Sequence, residues 1–523
     1  MSKRHPLTDN PPPVAPRRGR APAKKAGERP PPMERPERPE RDRSPAPDRP
    51  RYRTVKATPD HWSPRGDAVC SPSPQEDKPL DVWAGIPGEQ AEIELLHTGQ
   101  HRVIGRYYGP AGKVHPLRRE PPCERFDPCG GCPFMHLQPE GQVMARLSLL
   151  RDALQQVGLG QHAPHSLVPS PDGDLDYRHV VKLSVGRSDH GHIRIGAYAR
   201  HTHRLVAIPG CMVATPTLRR AMATVAHHII ELDVRPWEPE TGQGLIRHVV
   251  MRQSRATGEV LVTIVAVRRV RILTELAETL AASMSELVGV HLHINEDPGN
   301  AIFIRDEEGT VPTMNLRGQE LIEERLGSLT LAMGPGDFYQ ANPGMAEVIG
   351  RDMVDLLAPD RDRPVVDLYC GVGGFTLALG QAHGWALGVE AVGGAVLRAR
   401  ENARRNRVTA EFQAGDVATV LPELSRLQDR HPVVVVDPAR RGLADGVLPA
   451  ILALEPARLV YLSCNPRAMA RDLGQLVAQG WTVSTLRAYD MFPQTTHVET
   501  LAVLDPPQPQ PQGLPSPRRR VVR

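Results

Sequence analysis

Between residues 364 and 504, six apolar runs alternate with stretches of helical periodicity, and no other feature constrains the fold so tightly. The runs cover 364–368, 385–390, 433–437, 458–464, 483–489 and 498–504, with helices such as 394–405 and 467–479 between them. Strands buried on both faces read as continuous apolar runs, and the helices carry the chain back to the same sheet edge. The pattern predicts an α/β domain over 334–505, a doubly wound Rossmann-like sheet. Ligands bind such a sheet outside the carboxyl ends of its strands, so the residues that end each run are the candidates for chemistry.

Those ends are distinctive. The first run leads into Asp367-Leu368-Tyr369-Cys370-Gly371-Val372-Gly373-Gly374-Phe375-Thr376, a glycine turn that opens a helix and lets backbone approach a ligand closely. A dinucleotide fingerprint calls for glycine where Thr376 stands, while Glu390 ends the second strand, where a carboxylate can accept both ribose hydroxyls. This combination fits S-adenosylmethionine better than NAD. Cys370 reads as a packing residue. The four-valine run ends in Asp437-Pro438-Ala439-Arg440-Arg441-Gly442, an acid able to hold a base or cofactor beside two phosphate-seeking arginines. The next run stops at Cys464-Asn465-Pro466, and proline places the cysteine on a turn at the strand end. Glu499 sits in the last strand, where desolvation would raise its pKa and suit it to general-base work, with His497 as a competitor. A cysteine, an acid and a methyl-donor pocket together suggest one reaction. C5 of uracil is too weak a nucleophile unaided, but a thiolate added at C6 makes C5 carbanion-like and able to take a methyl group.

The rest of the chain divides by composition. Residues 1–50 carry fourteen prolines and a net charge of +6, residues 505–523 a net +3, which leaves 51–504 at −5. Segments so poor in apolar residues predict disordered tails at 1–51 and 506–523, able to attract a polyanion. Short alternating runs over 52–112 suit a small OB-like β-barrel, and 113–333 reads as a central α+β region with a helix over 139–157. Seven cysteines, three of them within 123–132, suggest a metal centre in a reducing cytoplasm. Cys123, Cys129 and Cys132 are spaced C-x5-C-x2-C, and Cys211 is the available fourth thiolate; such a set serves zinc or iron–sulfur equally. Cys70 lies outside the pattern, and His136 reads as core rather than ligand. No apolar run reaches eighteen residues and the amino terminus lacks a signal sequence, so a cytoplasmic protein without a membrane span is expected.

Four blocks carry a resemblance: GDFYQAN at 336–342, DLYCGVGGFT at 367–376, DPARRG at 437–442, and SCNP with HVET at 463–466 and 497–500. Together they are similar to the RNA 5-methyluridine methyltransferases over about 80–505. The resemblance implies Cys464 as nucleophile and Glu499 as the base that removes the C5 proton. It also implies an S-adenosylmethionine site of Gln340, Tyr369, Gly374, Glu390, Asp416 and Asp437. It tips the cysteine set towards a [4Fe–4S] cluster on Cys123, Cys129, Cys132 and Cys211, there to brace the fold and RNA surface. The segment 52–112 resembles the family's TRAM domain, an RNA-binding module whose usual glycine-rich pattern the stretch 60–67 does not follow. Barrel, cluster and catalytic domain together look most like the branch acting on 23S ribosomal RNA, with transfer RNA the alternative substrate, and a monomer is expected. The rival class is a non-catalytic RNA-binding or assembly protein, which the presence of Cys464, Glu499 and the glycine turn disfavours.

Overall fold

The computed structural model describes residues 53–71, 77–200, 202–358 and 360–508. The amino-terminal tail and most of the carboxyl-terminal one, expected to be disordered, lie outside the described residues. The carboxyl-terminal sheet has eight strands in the order Ala410–Ala414, Ala386–Glu390, Val365–Leu368, Val433–Val436, Arg458–Ser463, Glu499–Asp505, Thr482–Tyr489 and the two-residue Leu167–Val168. The first five run parallel, and Glu499–Asp505 is antiparallel to both its neighbours. That reversal follows from chain length. Only residues 490–498 join Thr482–Tyr489 to Glu499–Asp505, too few for the crossover a parallel pair needs. Six of these strands match the apolar runs, but the run pattern does not show Ala410–Ala414, an edge strand in which only Phe412 is buried.

The buried strands explain the core. Val433–Val436 is buried throughout, and Leu459, Val460, Tyr461 and Leu462 are wholly inaccessible. The Tyr461 hydroxyl would be costly there unpaired, and it donates to Asp472 Oδ2 at 2.6 Å. Arg458–Ser463 gives way at once to helix Pro466–Ala478. Pro466 occupies its first turn and the Asn465 side chain caps it by accepting the Arg467 N–H at 3.2 Å. Cys464 is therefore the single residue between a strand end and a helix cap, with little freedom to wander.

Two larger sheets and the hairpin of Ile322–Leu326 with Leu329–Met333 precede this domain. A seven-stranded sheet runs Leu205–Ala207, Ile193–Tyr198, Val180–Arg187, Ile246–Gln253, Val260–Ala266, Leu287–Ile294, Met314–Gly318. Helices Pro216–Glu231 and Arg271–Ser283 pack their apolar stripes (Leu218, Val225 and Ile229; Leu273, Leu276 and Leu280) into its core. Thr54–Pro110 holds a six-stranded sheet with Leu80, Val82 and Ile93 at its centre. Cys70 lies in that core, apart from the other cysteines. Helix Pro139–Gln155 ties the parts together. It packs on Pro466–Ala478, and its buried Arg146 grips Asp490, with Nη2 3.0 Å from Oδ2. Among the described residues no helix is long and apolar enough to cross a membrane.

Candidate active site

Two cavities meet at Cys464. One, of about 540 Å³, is walled by the Tyr369–Gly374 turn together with Gln340, Glu390, Asp437 and Glu499. The other, of about 570 Å³, lies between the amino-terminal sheet, helix Pro139–Gln155 and the Cys464–Arg467 turn. Cys464 and Arg440 border both.

The first cavity has the features of a cofactor pocket. Glu390 ends its strand with both carboxylate oxygens accepting backbone N–H groups, from Gly371 at 3.1 Å and Val392 at 2.9 Å, while it still lines the cavity. Tyr369 takes a left-handed backbone (φ 68°), uncommon for a residue with a side chain and characteristic of sites where geometry is imposed. Burial, with the charge of Asp416 second, pushes its hydroxyl up to about 12. Gly374 begins helix Gly374–His383 and contributes backbone to the wall. Tyr339 also lines the cavity, and its buried hydroxyl has no partner among the described residues. A carboxylate for ribose and a glycine turn around a pocket of this size fit S-adenosylmethionine. Asp416 does not reach the wall. Its carboxylate is spent capping the short helix Val417–Val420, accepting the Ala418 N–H at 2.9 Å.

At the junction, sheet register does the positioning. In the antiparallel pair Ser463 faces Thr500 and Leu462 faces Leu501, so one step further along Cys464 is opposite Glu499. The reversed last strand thus brings its first residue to the edge where the parallel strands end. Asp437, one residue beyond Val436, opens onto the same cavity. The acids crowd. Burial chiefly, then the neighbouring Asp437 carboxyl, raises Glu499 well above the usual carboxylate range against the opposing pull of Arg440. Asp437 is pushed up to about 7 by desolvation and by Asp367, which is itself raised to about 7 by burial despite a 2.6 Å hydrogen bond from Thr376. Desolvation and the adjacent Glu499 push the Cys464 thiol up to about 11, with Arg440 opposing. Burial thus disfavours the charged form of both the thiol and the carboxyl. His497 is driven down to about 4 by burial, Arg440 and Arg178, and its Nε2 lies 3.4 Å from Arg440 Nη2.

The cysteine set is gathered beside this site. Cys123, Cys129, Cys132 and Cys211 are all unpaired, and after burial the proximity of Cys211 is the next cause that raises the Cys132 thiol. No three of these sulfurs lie within 4.8 Å of one another; among the described residues that spacing is met only by His227, His228 and Glu231. Around one zinc ion, with Zn–S about 2.3 Å, tetrahedral sulfurs sit about 3.8 Å apart. Cys123, Cys132 and Cys211 pack against one small core and the four thiols act on one another electrostatically, so the set can hold zinc or an iron–sulfur group. Cys370 sits apart in the glycine turn, and His136 is buried with Nε2 3.0 Å from the Gly85 carbonyl.

Several residues of the site are not evident from sequence. Phe492 packs against the Met135, Tyr177 and Val213 core that Cys132 and Cys211 also pack against, and it lines the cofactor cavity. Gln494, fully buried at φ 71°, is a hub. Its Oε1 accepts from Arg119 (3.1 Å) and Gln142 (2.9 Å), its Nε2 donates to Asp174 Oδ2 (2.9 Å), and its carbonyl accepts the Phe134 N–H (3.0 Å). Arg305, on a segment of the central region, also lines the cofactor cavity. Phe492 and Gln494 fall within the conspicuous stretch 490–500, but nothing in the sequence marks Arg305.

Comparison with known proteins places these features in context. The sequence profile of the family described as tRNA (Uracil-5-)-methyltransferase matches residues 333–506. A protein of Geobacter sulfurreducens named as an uncharacterized RNA methyltransferase is 32% identical over 447 residues, 85% of this chain and 89% of that one. One of the same description from Bacillus cereus (strain ATCC 10987) is 30% identical over 431 residues, 82% of this chain and 91% of that one. The crystal structure of Pyrococcus abyssi tRNA (uracil-54, C5)-methyltransferase in complex with S-adenosyl-L-homocysteine superposes with a TM-score of 0.67 at 23% identity, covering 86% of this chain and all of that one.

Proposed function

We infer the reaction from membership: the chain belongs to the RNA uracil-5 methyltransferase family and is an RNA methyltransferase. In this reading the glycine turn, Gln340 and Glu390 hold S-adenosylmethionine, which would supply the electrophilic methyl and whose positive charge would favour release of the Cys464 and Glu499 protons to solvent. The Cys464 thiolate bonds to C6 of uracil, and the electron pair released onto C5 displaces the methyl from sulfur. Glu499 then takes the C5 proton, and the C6–S bond breaks to return the thiolate and 5-methyluridine. The observation that carries this is the placement of Cys464 opposite Glu499 at the mouth of the cofactor cavity. His497, with a pKa driven down to about 4, is the weaker base.

The finer assignments are part of the same proposal. Cys123, Cys129, Cys132 and Cys211 hold a [4Fe–4S] cluster that braces the wall behind Phe492, and methyl transfer to uracil needs no electron from it. The sheet Thr54–Pro110 is the TRAM-like RNA-binding module, and 23S ribosomal RNA is the substrate in preference to transfer RNA. The test is methyl transfer from labelled S-adenosylmethionine to unmodified 23S ribosomal RNA and unmodified transfer RNA in parallel, with Cys464→Ala as control. Label recovered as 5-methyluridine in ribosomal RNA and abolished by the substitution is expected. Label in transfer RNA alone overturns the substrate, and label in neither overturns the reaction.

A further inference from the structure

The second cavity lies apart from the residues assigned to the cofactor, yet it borders the nucleophile. Its walls come from three separate parts of the chain. It is lined by Trp62 of the short strand His61–Trp62 and by Leu149 and Ala153 of helix Pro139–Gln155. Cys464 and Arg467 line it as well, as does Arg102, held in an ion pair with Asp81 at 2.5 Å. The Trp62 ring is fixed from behind by an edge-on contact with Phe134, whose centroid is 5.0 Å away. Trp62 belongs to the stretch 60–67, which the family resemblance leaves unaccounted for.

Resting on the uridine-methylating reading above, we propose that this cavity takes the base of the nucleotide next to the target, stacked on Trp62, so that the substrate is a uridine in an unpaired run. When the target base reaches past Cys464 into the cofactor cavity, its sugar and phosphate lie at the junction of the two cavities. The adjoining nucleotide then falls in the second one. An aromatic ring and apolar side chains lining one cavity accept any base by stacking, and the arginines in the same lining meet the flanking phosphates. A double helix does not enter, because the neighbour must leave its own stack to reach Trp62. The cavity therefore selects for a loop or single strand rather than for a sequence.

The probe is a fluorescein-labelled single-stranded RNA 12-mer with one central uridine, bound to the Cys464→Ala protein so that no chemistry intervenes. Trp62→Ala should weaken binding roughly tenfold or more, in line with the loss of one base–aromatic stack, and Trp62→Phe should recover most of it. Affinity for S-adenosylhomocysteine, measured by calorimetry, should stay at the parent value, and the same RNA annealed to its complement should bind weakly to all three proteins. Equal affinity of Trp62→Ala and its parent for the single strand, or equal affinity for single strand and duplex, overturns the proposal. A measurement without a variant at Trp62 guards against misfolding. An RNA with 5-iodouridine on either side of the target is irradiated on the protein and the crosslinked peptide identified. A crosslink at Trp62 from one flanking position supports the site, and crosslinks confined to other residues overturn it. Failure of methylation in the parallel-substrate assay sinks the underlying reading instead, and leaves a different mark: no product with any RNA while these binding differences persist.

Discussion

Replacing Glu499 by glutamine tests the division of labour at the junction most directly. Glu499 is 2% exposed, and burial with the Asp437 carboxyl beside it raises its pKa well above the usual carboxylate range. Glutamine has the same shape as a protonated glutamic acid and carries no charge, so the variant should fold. Stability gives a check with a defined sign. Because the folded-state pKa is raised, the contribution of Glu499 is fully present below its unfolded value near 4.5 and is lost as pH rises through the folded value. Glutamine has no such loss, so the melting temperature of Glu499→Gln relative to the parent should climb as pH is raised from 5 to 8. For catalysis the effect runs the other way. A positioned general base is worth about 10² to 10⁴ in rate, or about 3 to 5 kcal/mol of barrier. Turnover should fall by that factor, but the earlier steps need only Cys464 and the methyl donor. The methylated base should therefore stay on Cys464 as a covalent complex, since the C6–S bond cannot break until the C5 proton leaves. The assay is a single-turnover reaction with labelled S-adenosylmethionine, resolved on a denaturing gel. Label should migrate with protein-bound RNA in Glu499→Gln and vanish in Glu499→Gln/Cys464→Ala. Turnover within a few-fold of the parent, or the same trap produced by His497→Ala instead, would refute the assignment of the base.

Three further outcomes are expected. Asp367 is buried and pushed up to about 7 from an ordinary value of 3.8, so its stabilising effect is full below pH 4 and lost as pH rises through 7. The loss amounts to about 4 kcal/mol at its upper limit, and Asp367→Asn should melt higher than the parent at pH 8 but not at pH 4 if the reasoning holds. A side chain at Gly394 would meet Thr310 at 2.9 Å and dislodge the segment that carries Arg305 to the cofactor cavity. Gly394→Val should weaken S-adenosylhomocysteine binding several-fold by calorimetry, and an unchanged Kd would show that the segment does not shape the pocket. Cys211→Ala should lower the iron and sulfide content of the purified protein and its visible absorbance; full retention would remove Cys211 from the ligand set.

How far the site was legible depended on the kind of signal each residue leaves. Val433–Val436 and Leu459–Leu462 announce themselves because strands buried on both faces must be apolar, and their ends then locate Asp437 and Cys464. Glu499 was legible as an acid in an apolar run. Its pairing opposite Cys464 was not, since it depends on the antiparallel direction that the nine-residue link 490–498 enforces. Asp416 shows the opposite failure: the residue type suits a cofactor, but its carboxylate serves the helix that follows. Arg305 and Trp62 reach the cavities from segments far from the catalytic blocks in sequence, where periodicity carries no information about what a side chain will face.

Gln494 makes the same point about energetics and joins the parts of the molecule. A neutral amide leaves no mark in a charge or hydropathy pattern, yet this one satisfies groups from Arg119, Phe134, Gln142 and Asp174 at once. Those partners come from the segments around the cysteine set and from helix Pro139–Gln155, whereas Gln494 lies five residues before Glu499 in the link that reverses the last strand. Leaving a buried polar group unpaired costs about 1 to 3 kcal/mol, so removing this side chain exposes several such losses together. The cysteine-bearing segment, the helix behind the second cavity and the strand of the base are thus held by one residue.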